Sequence, residues 1–178
     1  MAREQGIVFH CDAVQSAGRA LLDVRALHVD LLSISSHKLY GPKGAGALFV
    51  ANQDAIEPVI FGSGQEQGIR PGTLNVPCVA GFGLACSIVQ RDMENNGVLM
   101  ASLRESLEQQ VMNRITGVKI NGAGAPRLPH ISSLSFLGVS ADDLAAHLDA
   151  ANIVMSSRYS PGIEGHEMSP ALAALGIE

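Results

Sequence analysis

The sequence predicts an α/β protein: part of a mostly parallel sheet with its helices, then a smaller α+β unit beginning near residue 97. Three observations predict it. Apolar runs of strand length at 7–12, 29–35 and 47–50 end in small or polar residues. Two long helical patterns follow, at 75–93 and 98–115. Strand-like runs and helix signals then alternate to the end of the chain. The division expected is a larger unit at 1–96 and a smaller one at 97–178.

In order, Met1 to Gly6 reads as the tail of a helix closed by a glycine, so the chain reads as cut out of something longer. Ile7–Asp12 is a strand, and a loop with a short helical pattern follows to Leu27. Val29–Ser35 is the next strand, with Asp30 at its mouth. A glycine- and proline-punctuated turn leads to the strand Ala47–Val50. Residues 51–60 form a surface segment, running into the apolar patch Val59-Ile60-Phe61. Gly62–Thr73 is a long polar loop, of a length that usually marks function or disorder. Gly81 and Gly83 lower the propensity of the helix after Asn75 but allow close packing. Val118–Ile120 and Ile131–Phe136 read as strands. Ser140 caps a helix with Asp142 and Asp143 in its first turn, and Asn152 ends it. A strand at Ile153–Met155 and a last helix at Pro170–Leu175 complete the order.

Composition excludes several classes. The net charge of −5 leaves no basic signature for nucleic acid. No apolar run reaches the length of a membrane span, and no secretory signal opens the chain. Cys11, Cys78 and Cys86 lack C-x-x-C spacing and read as reduced thiols of a cytoplasmic protein. The glycines of GPKGAG and GSGQEQG match neither a phosphate loop nor a dinucleotide fingerprint.

Chemistry concentrates around Lys38. A lysine at the end of a strand, beside Ser35, Ser36 and His37, is expected to be buried and to need a partner or a task. Two readings stand. Asp12 and Lys38 form a structural salt bridge, or they belong to a pyridoxal phosphate site. That cofactor needs an amine for its aldehyde, a carboxylate for its pyridinium nitrogen, and hydroxyls with a cation for its phosphate. Lys38 supplies the amine and Asp12 the carboxylate. Gln15 suits the ring hydroxyl, and Ser35 and His37 suit the phosphate. His28, His130 and His147 read as structural or surface residues. His166, with Glu164 and Glu167, reads as a solvated loop, so no metal is expected. Arg158 reads as a solvated loop residue, with an anion contact as its alternative.

FHCDAVQSAGR together with DLLSISSHKLYGPKGAGALFV resembles the cofactor core of the cysteine desulfurases, in the class V aminotransferase family of pyridoxal phosphate fold type I. QEQGIRPGTLNV resembles that family's dimer loop, and RLPHISSLSF with the following helix and strand resembles the start of its small domain. The resemblance covers essentially the whole chain. It implies that Lys38 carries the cofactor, Asp12 pairs with the ring nitrogen, and Gln15 contacts the ring oxygen. It implies phosphate contacts from Ser35 and His37, and from Thr73 to the cofactor of the other subunit of a homodimer. The activity implied takes sulfur from L-cysteine, releases alanine, and passes a persulfide to acceptor proteins of iron–sulfur assembly or thiolation.

One departure stands out. The family's persulfide cysteine lies in a loop resembling S-S-G-S-A-C. Counting back from EMSPALAALG places Pro161 over that cysteine, with Ser157 and Ser160 nearby. The family's glycine-rich phosphate loop and ring-stacking histidine are expected before Met1, and its carboxylate-gripping arginine after Glu178. Weak or absent desulfuration is therefore expected from this chain alone. The alternatives are a non-catalytic fragment that binds a partner chain and a pyridoxal phosphate enzyme acting on another amino substrate.

Overall fold

The structure, a computed structural model, describes residues 1–157, 170–174 and 176–177. The chain divides into two units, Met1–Ala101 with Leu128–His130, and Ser102–Arg127 with Ile131–Glu178. Arg158, Ser160, Pro161, Glu164, His166 and Glu167 lie outside the described residues.

The first unit holds a three-stranded sheet of β1 (His10–Asp12), β2 (Leu31–Ser35) and β3 (Gly46–Val50), in that spatial order. β1 and β2 run parallel, with Asp12 opposite Ser33, and residues 13–30 make the crossover. β3 returns antiparallel to β2, which the short turn at 36–45 permits. Alternation sends Cys11, Leu32 and Ile34 to one face, where they pack with Ala13 and Val29. His10, Asp12, Ser33 and Ser35 take the opposite face.

The helical pattern expected after Asp12 is not a helix. Residues 14–28 form isolated turns, such as Ala17 N–H to the Ala13 carbonyl at 2.8 Å and Leu27 N–H to that of Asp23 at 2.9 Å. Asp23 Oδ1 accepts from the N–H groups of Arg25 and Ala26, a local bond that competes with helix propagation. Gly18 sits at φ +69, and a Cβ there would lie 2.5 Å from Val89 Cγ1, so the crossover bends where only glycine fits. The N-terminal helix tail is one 3₁₀ turn, Arg3–Gln5, closed by Gly6 at φ +65.

The two helices expected between 75 and 115 are one. α1 runs from Val76 to Arg114. Asn95, Asn96 and Gly97 stay helical. The roughly 1 kcal/mol cost of a helical glycine is too small to break a helix that is fixed at both ends of the interruption. In the first unit, Phe82 and Ala85 of α1 pack on Ala17 and Leu39, with Ile34 and Val89 alongside. Gly81 allows this approach: a Cβ there would lie 2.7 Å from Pro42 Cγ.

The second unit pairs β4 (Val118–Ile120) antiparallel with β5 (Leu134–Phe136). Asn121 is buried and its amide bonds the hydroxyls of Ser133 and Ser135 at 3.1 and 2.9 Å. Glu108, 4% exposed, receives both guanidinium nitrogens of Arg127 at 2.7 and 3.1 Å and the Ser132 hydroxyl at 2.8 Å. These bonds hold the Glu108 carboxyl below the usual carboxylate range, and Arg127 is raised by the same pairing. α2 (Ala141–Ala150) starts at Ser140, whose hydroxyl accepts from Asp143 N–H. Asn152 turns to φ +61, and Ile153 N–H closes the helix on the Leu148 carbonyl at 2.8 Å. The strand expected at Ile153–Met155 is not formed: this segment has no ladder partner among the described residues. α3 (Pro170–Ala174) is the last element.

Candidate active site at the carboxyl edge of the parallel strands

Because β1 and β2 are parallel, their carboxyl ends lie on the same edge of the sheet, where ligands of open α/β sheets bind. Asp12 is the last residue of β1 and is exposed. Its Oδ1 accepts from Val14 N–H at 3.0 Å, which fixes the carboxylate and leaves Oδ2 without a partner among the described residues. Gln15 follows in the turn, half-buried. Ser35 ends β2, and its hydroxyl lies 2.8 Å from His37 Nδ1.

The chain then tightens into a 3₁₀ turn, Ser36–Leu39. Side chains three apart eclipse in such a turn. Ser36 and Leu39, 0% and 4% exposed, therefore both face the core, while His37 and Lys38 face outward. Burial of Lys38, expected from its place after an apolar strand, is overturned: the helical period of the turn, not the alternation of the strand, sets its direction. Among the described residues Lys38 makes no ion pair or hydrogen bond, so the salt bridge to Asp12 is not formed.

Three contacts hold this turn. Tyr40 adopts φ +62 and returns its N–H to the Ser36 carbonyl. Arg19 lies over the Tyr40 ring, 5.8 Å from its centre. Gly41 donates to the Ser36 carbonyl at 3.0 Å. A Cβ on Gly41 would clash with Ser36 Oγ and lie 3.1 Å from Ala85 Cβ. Gly41→Ala is accordingly expected to lower the unfolding free energy by about 2 kcal/mol and to shift the Lys38 turn. Urea denaturation reads the first effect; an unchanged midpoint would show that Ser36 and Ala85 move aside freely.

Thr73 is not joined to this edge by any hydrogen bond or ion pair among the described residues. It follows a loop packed on itself, in which Gln65 Oε1 accepts from Ser63 Oγ at 2.6 Å and from Gly72 N–H at 3.1 Å. Glu66 and Gln67 stand there at φ +49 and +59. His130 is half-buried, and burial with the nearby Arg19 charge lowers its pKa, which favours the neutral ring. Cys11 and Cys86 sit against the core clusters, as strand and helix periods require. An open groove of about 430 Å³ runs past Tyr40, Gly41, Leu84 and Ile88; none of the expected site residues lines it. Sequence reasoning passed over His10, whose Nε2 lies 2.7 Å from Ser33 Oγ. The period of two that pairs His10 with Asp12 was the available signal.

The sequence pattern of the family described as Aminotransferase class-V matches residues 1–178. The chain belongs to the class V aminotransferase family. Among curated members it is 38% identical to the cysteine desulfurase IscS of Anaeromyxobacter dehalogenans, over 99% of this chain and 44% of that protein. It is 37% identical to a probable mitochondrial cysteine desulfurase of Dictyostelium discoideum, over 100% of this chain and 40% of that protein. The X-ray structure of a NifS-like protein from Rickettsia africae superposes with a TM-score of 0.84 at 31% identity, covering 99% of this chain and 46% of that one. The chain thus spans under half the length of the relatives it matches. Its fold is the corresponding part of the α/β arrangement of pyridoxal phosphate fold type I.

Class V aminotransferases and cysteine desulfurases depend on pyridoxal 5'-phosphate. The residues at the carboxyl edge fit that group. The donor set comprises an exposed, unengaged primary amine at Lys38 and a carboxylate at Asp12 with one oxygen uncommitted. A hydroxyl–imidazole pair at Ser35 and His37 completes it.

Proposed function

We propose that this class V aminotransferase holds pyridoxal 5'-phosphate at Lys38 and serves the removal of sulfur from L-cysteine, leaving L-alanine, with the sulfur passed to an acceptor protein. The observation that carries the reading is the exposed Lys38, three residues past the end of β2, on the same sheet edge as Asp12 and the Ser35–His37 pair. The relatives' names supply the reaction class.

In this reading the residues divide the work by their chemistry. Lys38 supplies the amine that retains the cofactor. Asp12, its Oδ1 fixed by Val14 N–H, would supply the carboxylate that pairs with the ring nitrogen and keeps it protonated. Gln15 contacts the ring hydroxyl, and Ser35 with His37 binds the phosphate dianion. The cofactor contributes an electron sink that stabilises negative charge on the substrate carbon. Thr73 reaches the phosphate of a second copy's site, so the working form is a homodimer. Residues 1–96 act as the cofactor-binding unit and 97–178 as the smaller unit. A role in iron–sulfur assembly and a cytoplasmic location complete the proposal. No described helix is long and apolar enough to cross a membrane.

A second reading, a pyridoxal phosphate enzyme for another amino substrate, is favoured by Pro161 standing where the resemblance aligns the sulfur-accepting cysteine. One experiment addresses both. The purified chain is mixed with pyridoxal phosphate, its visible spectrum recorded, and sulfide and alanine measured from L-cysteine with and without a thiol reductant. A visible band with sulfide release supports desulfuration. A band without sulfide favours the second reading. A colourless protein removes both.

A further inference from the structure

Thr73 enters the reading above as the residue that reaches the phosphate in a second copy's site. The loop before it shows what holds it in place. That loop returns on itself: a Cβ on Gly62 would lie 2.8 Å from Pro71 Cβ, so its two ends touch. Three consecutive residues inside it, Glu66, Gln67 and Gly68, stand at φ +49, +59 and +83. Left-handed backbone at two non-glycine residues is unfavourable and persists only where the surroundings hold it. Ile69 N–H closes this turn on the Glu66 carbonyl at 3.1 Å.

The half-buried Gln65 joins the two arms of the loop. Its Oε1 accepts from Ser63 Oγ at 2.6 Å on the outgoing arm and from Gly72 N–H at 3.1 Å on the returning arm. A backbone N–H only donates, so the atom facing Gly72 is the amide oxygen and not its nitrogen. Gly72 stands at φ +107 and directly precedes the exposed Thr73. The Gln65 bond therefore fixes the residue from which Thr73 springs, and does so within one chain. A group held in place beforehand loses less freedom when it meets its ligand.

We infer that Gln65 is a positioning residue for Thr73: its amide oxygen, through Gly72 N–H, holds Thr73 ready for the phosphate of the second copy's cofactor. This rests on the cofactor and homodimer reading above. Gln65 itself touches neither the cofactor nor the substrate. Its influence crosses to the other copy and is confined to the phosphate.

The test is absorbance titration of the full chain with pyridoxal phosphate and, in parallel, with pyridoxal, which lacks the phosphate. Gln65→Leu is expected to weaken pyridoxal phosphate binding roughly fivefold, the worth of one hydrogen bond, and to leave pyridoxal binding unchanged. Gln65→Glu, which keeps an acceptor for Gly72 N–H, is expected to recover most of the loss. Thr73→Val is expected to match Gln65→Leu, and the double variant to lose no more than either alone. A heterodimer of Gln65→Leu and Lys38→Ala, purified on two tags, keeps one Lys38 amine, on the Gln65→Leu copy. The intact loop of the Lys38→Ala copy completes that site, so wild-type affinity is expected there. Equal weakening of pyridoxal and pyridoxal phosphate overturns the inference, because Gln65 then supports the fold alone. A heterodimer that stays weak overturns it too, because Gln65 then acts within its own copy. Unchanged binding in Gln65→Leu beside a loss in Thr73→Val has the same consequence and leaves the reading of Thr73 standing. Unchanged binding in Thr73→Val, a monomeric chain in gel filtration, or a chain that never acquires the visible band overturns that reading first, and the inference with it.

Discussion

Lys38→Ala is expected to abolish covalent retention of pyridoxal phosphate and to leave the fold intact. After borohydride treatment, the wild-type chain carries the label at residue 38, whereas the variant passes through gel filtration colourless. Any release of sulfide from L-cysteine falls by about 10³-fold or more, since both attachment and proton transfer at this position are lost. Lys38→Arg gives the same result although it keeps the charge, because a guanidinium stays protonated and does not condense with an aldehyde. The clean separation of function from stability follows from the geometry. Lys38 points out of its 3₁₀ turn and engages no partner among the described residues. Its removal therefore changes the unfolding free energy by less than about 0.5 kcal/mol. A label that persists in Lys38→Ala would place the reactive amine elsewhere, with Lys43 as the first alternative to examine.

Glu108→Ala is expected to do the reverse: to spare the carboxyl edge and destabilise the second unit. Glu108 is buried and accepts three hydrogen bonds, two from Arg127 and one from Ser132, with the Arg104 charge adding to their effect. Removing the carboxylate leaves Arg127 facing a void without its hydrogen-bonded partner, a loss of about 3 kcal/mol. Glu108→Gln keeps an acceptor for Ser132 and loses less. The pH dependence has a definite sign. The folded carboxyl titrates below its usual value, so the unfolded chain takes up the proton first as pH falls. The contribution is complete above the unfolded value of about 4.3 and disappears as pH falls through the depressed folded value. Denaturation midpoints of wild type and Glu108→Gln should therefore differ at pH 7 and converge in acid. A difference that stays constant into acid would show that shape, not charge, is what Glu108 contributes.

Much of the site was legible before the structure because its residues follow strand and turn grammar. Asp12 and Ser35 end apolar runs, and Lys38 follows the second run at a glycine- and proline-punctuated turn. The Ser140 cap and the stop at Asn152 were legible for the same local reason. The errors fell where local signals met competition. The pattern after Asp12 has helical spacing, but Gly18 and the Asp23 side chain hold it in separate turns. Asn95-Asn96-Gly97 reads as a break, yet the helix continues through it. Ile153–Met155 has strand composition and no ladder partner among the described residues. The Glu108–Arg127–Ser132 cluster draws on positions 19 and 24 residues away from the glutamate, beyond the reach of any local pattern.

By itself, the sequence determined the chemistry on offer: an amine at Lys38, a carboxylate at Asp12, hydroxyls and imidazoles beside them, and the order of strands that carries them. Residue type and period suffice for that, because alternation and turn chemistry are properties of a few neighbours. Only the tertiary structure decided that β1 and β2 pair in parallel, which brings Asp12 and Lys38 to one edge. It alone placed Ser33 opposite Asp12, with His10 bonded to it. And it alone turned Lys38 outward, because burying Ser36 and Leu39 against Ala17, Phe82 and Ala85 leaves the lysine the exposed side of the turn.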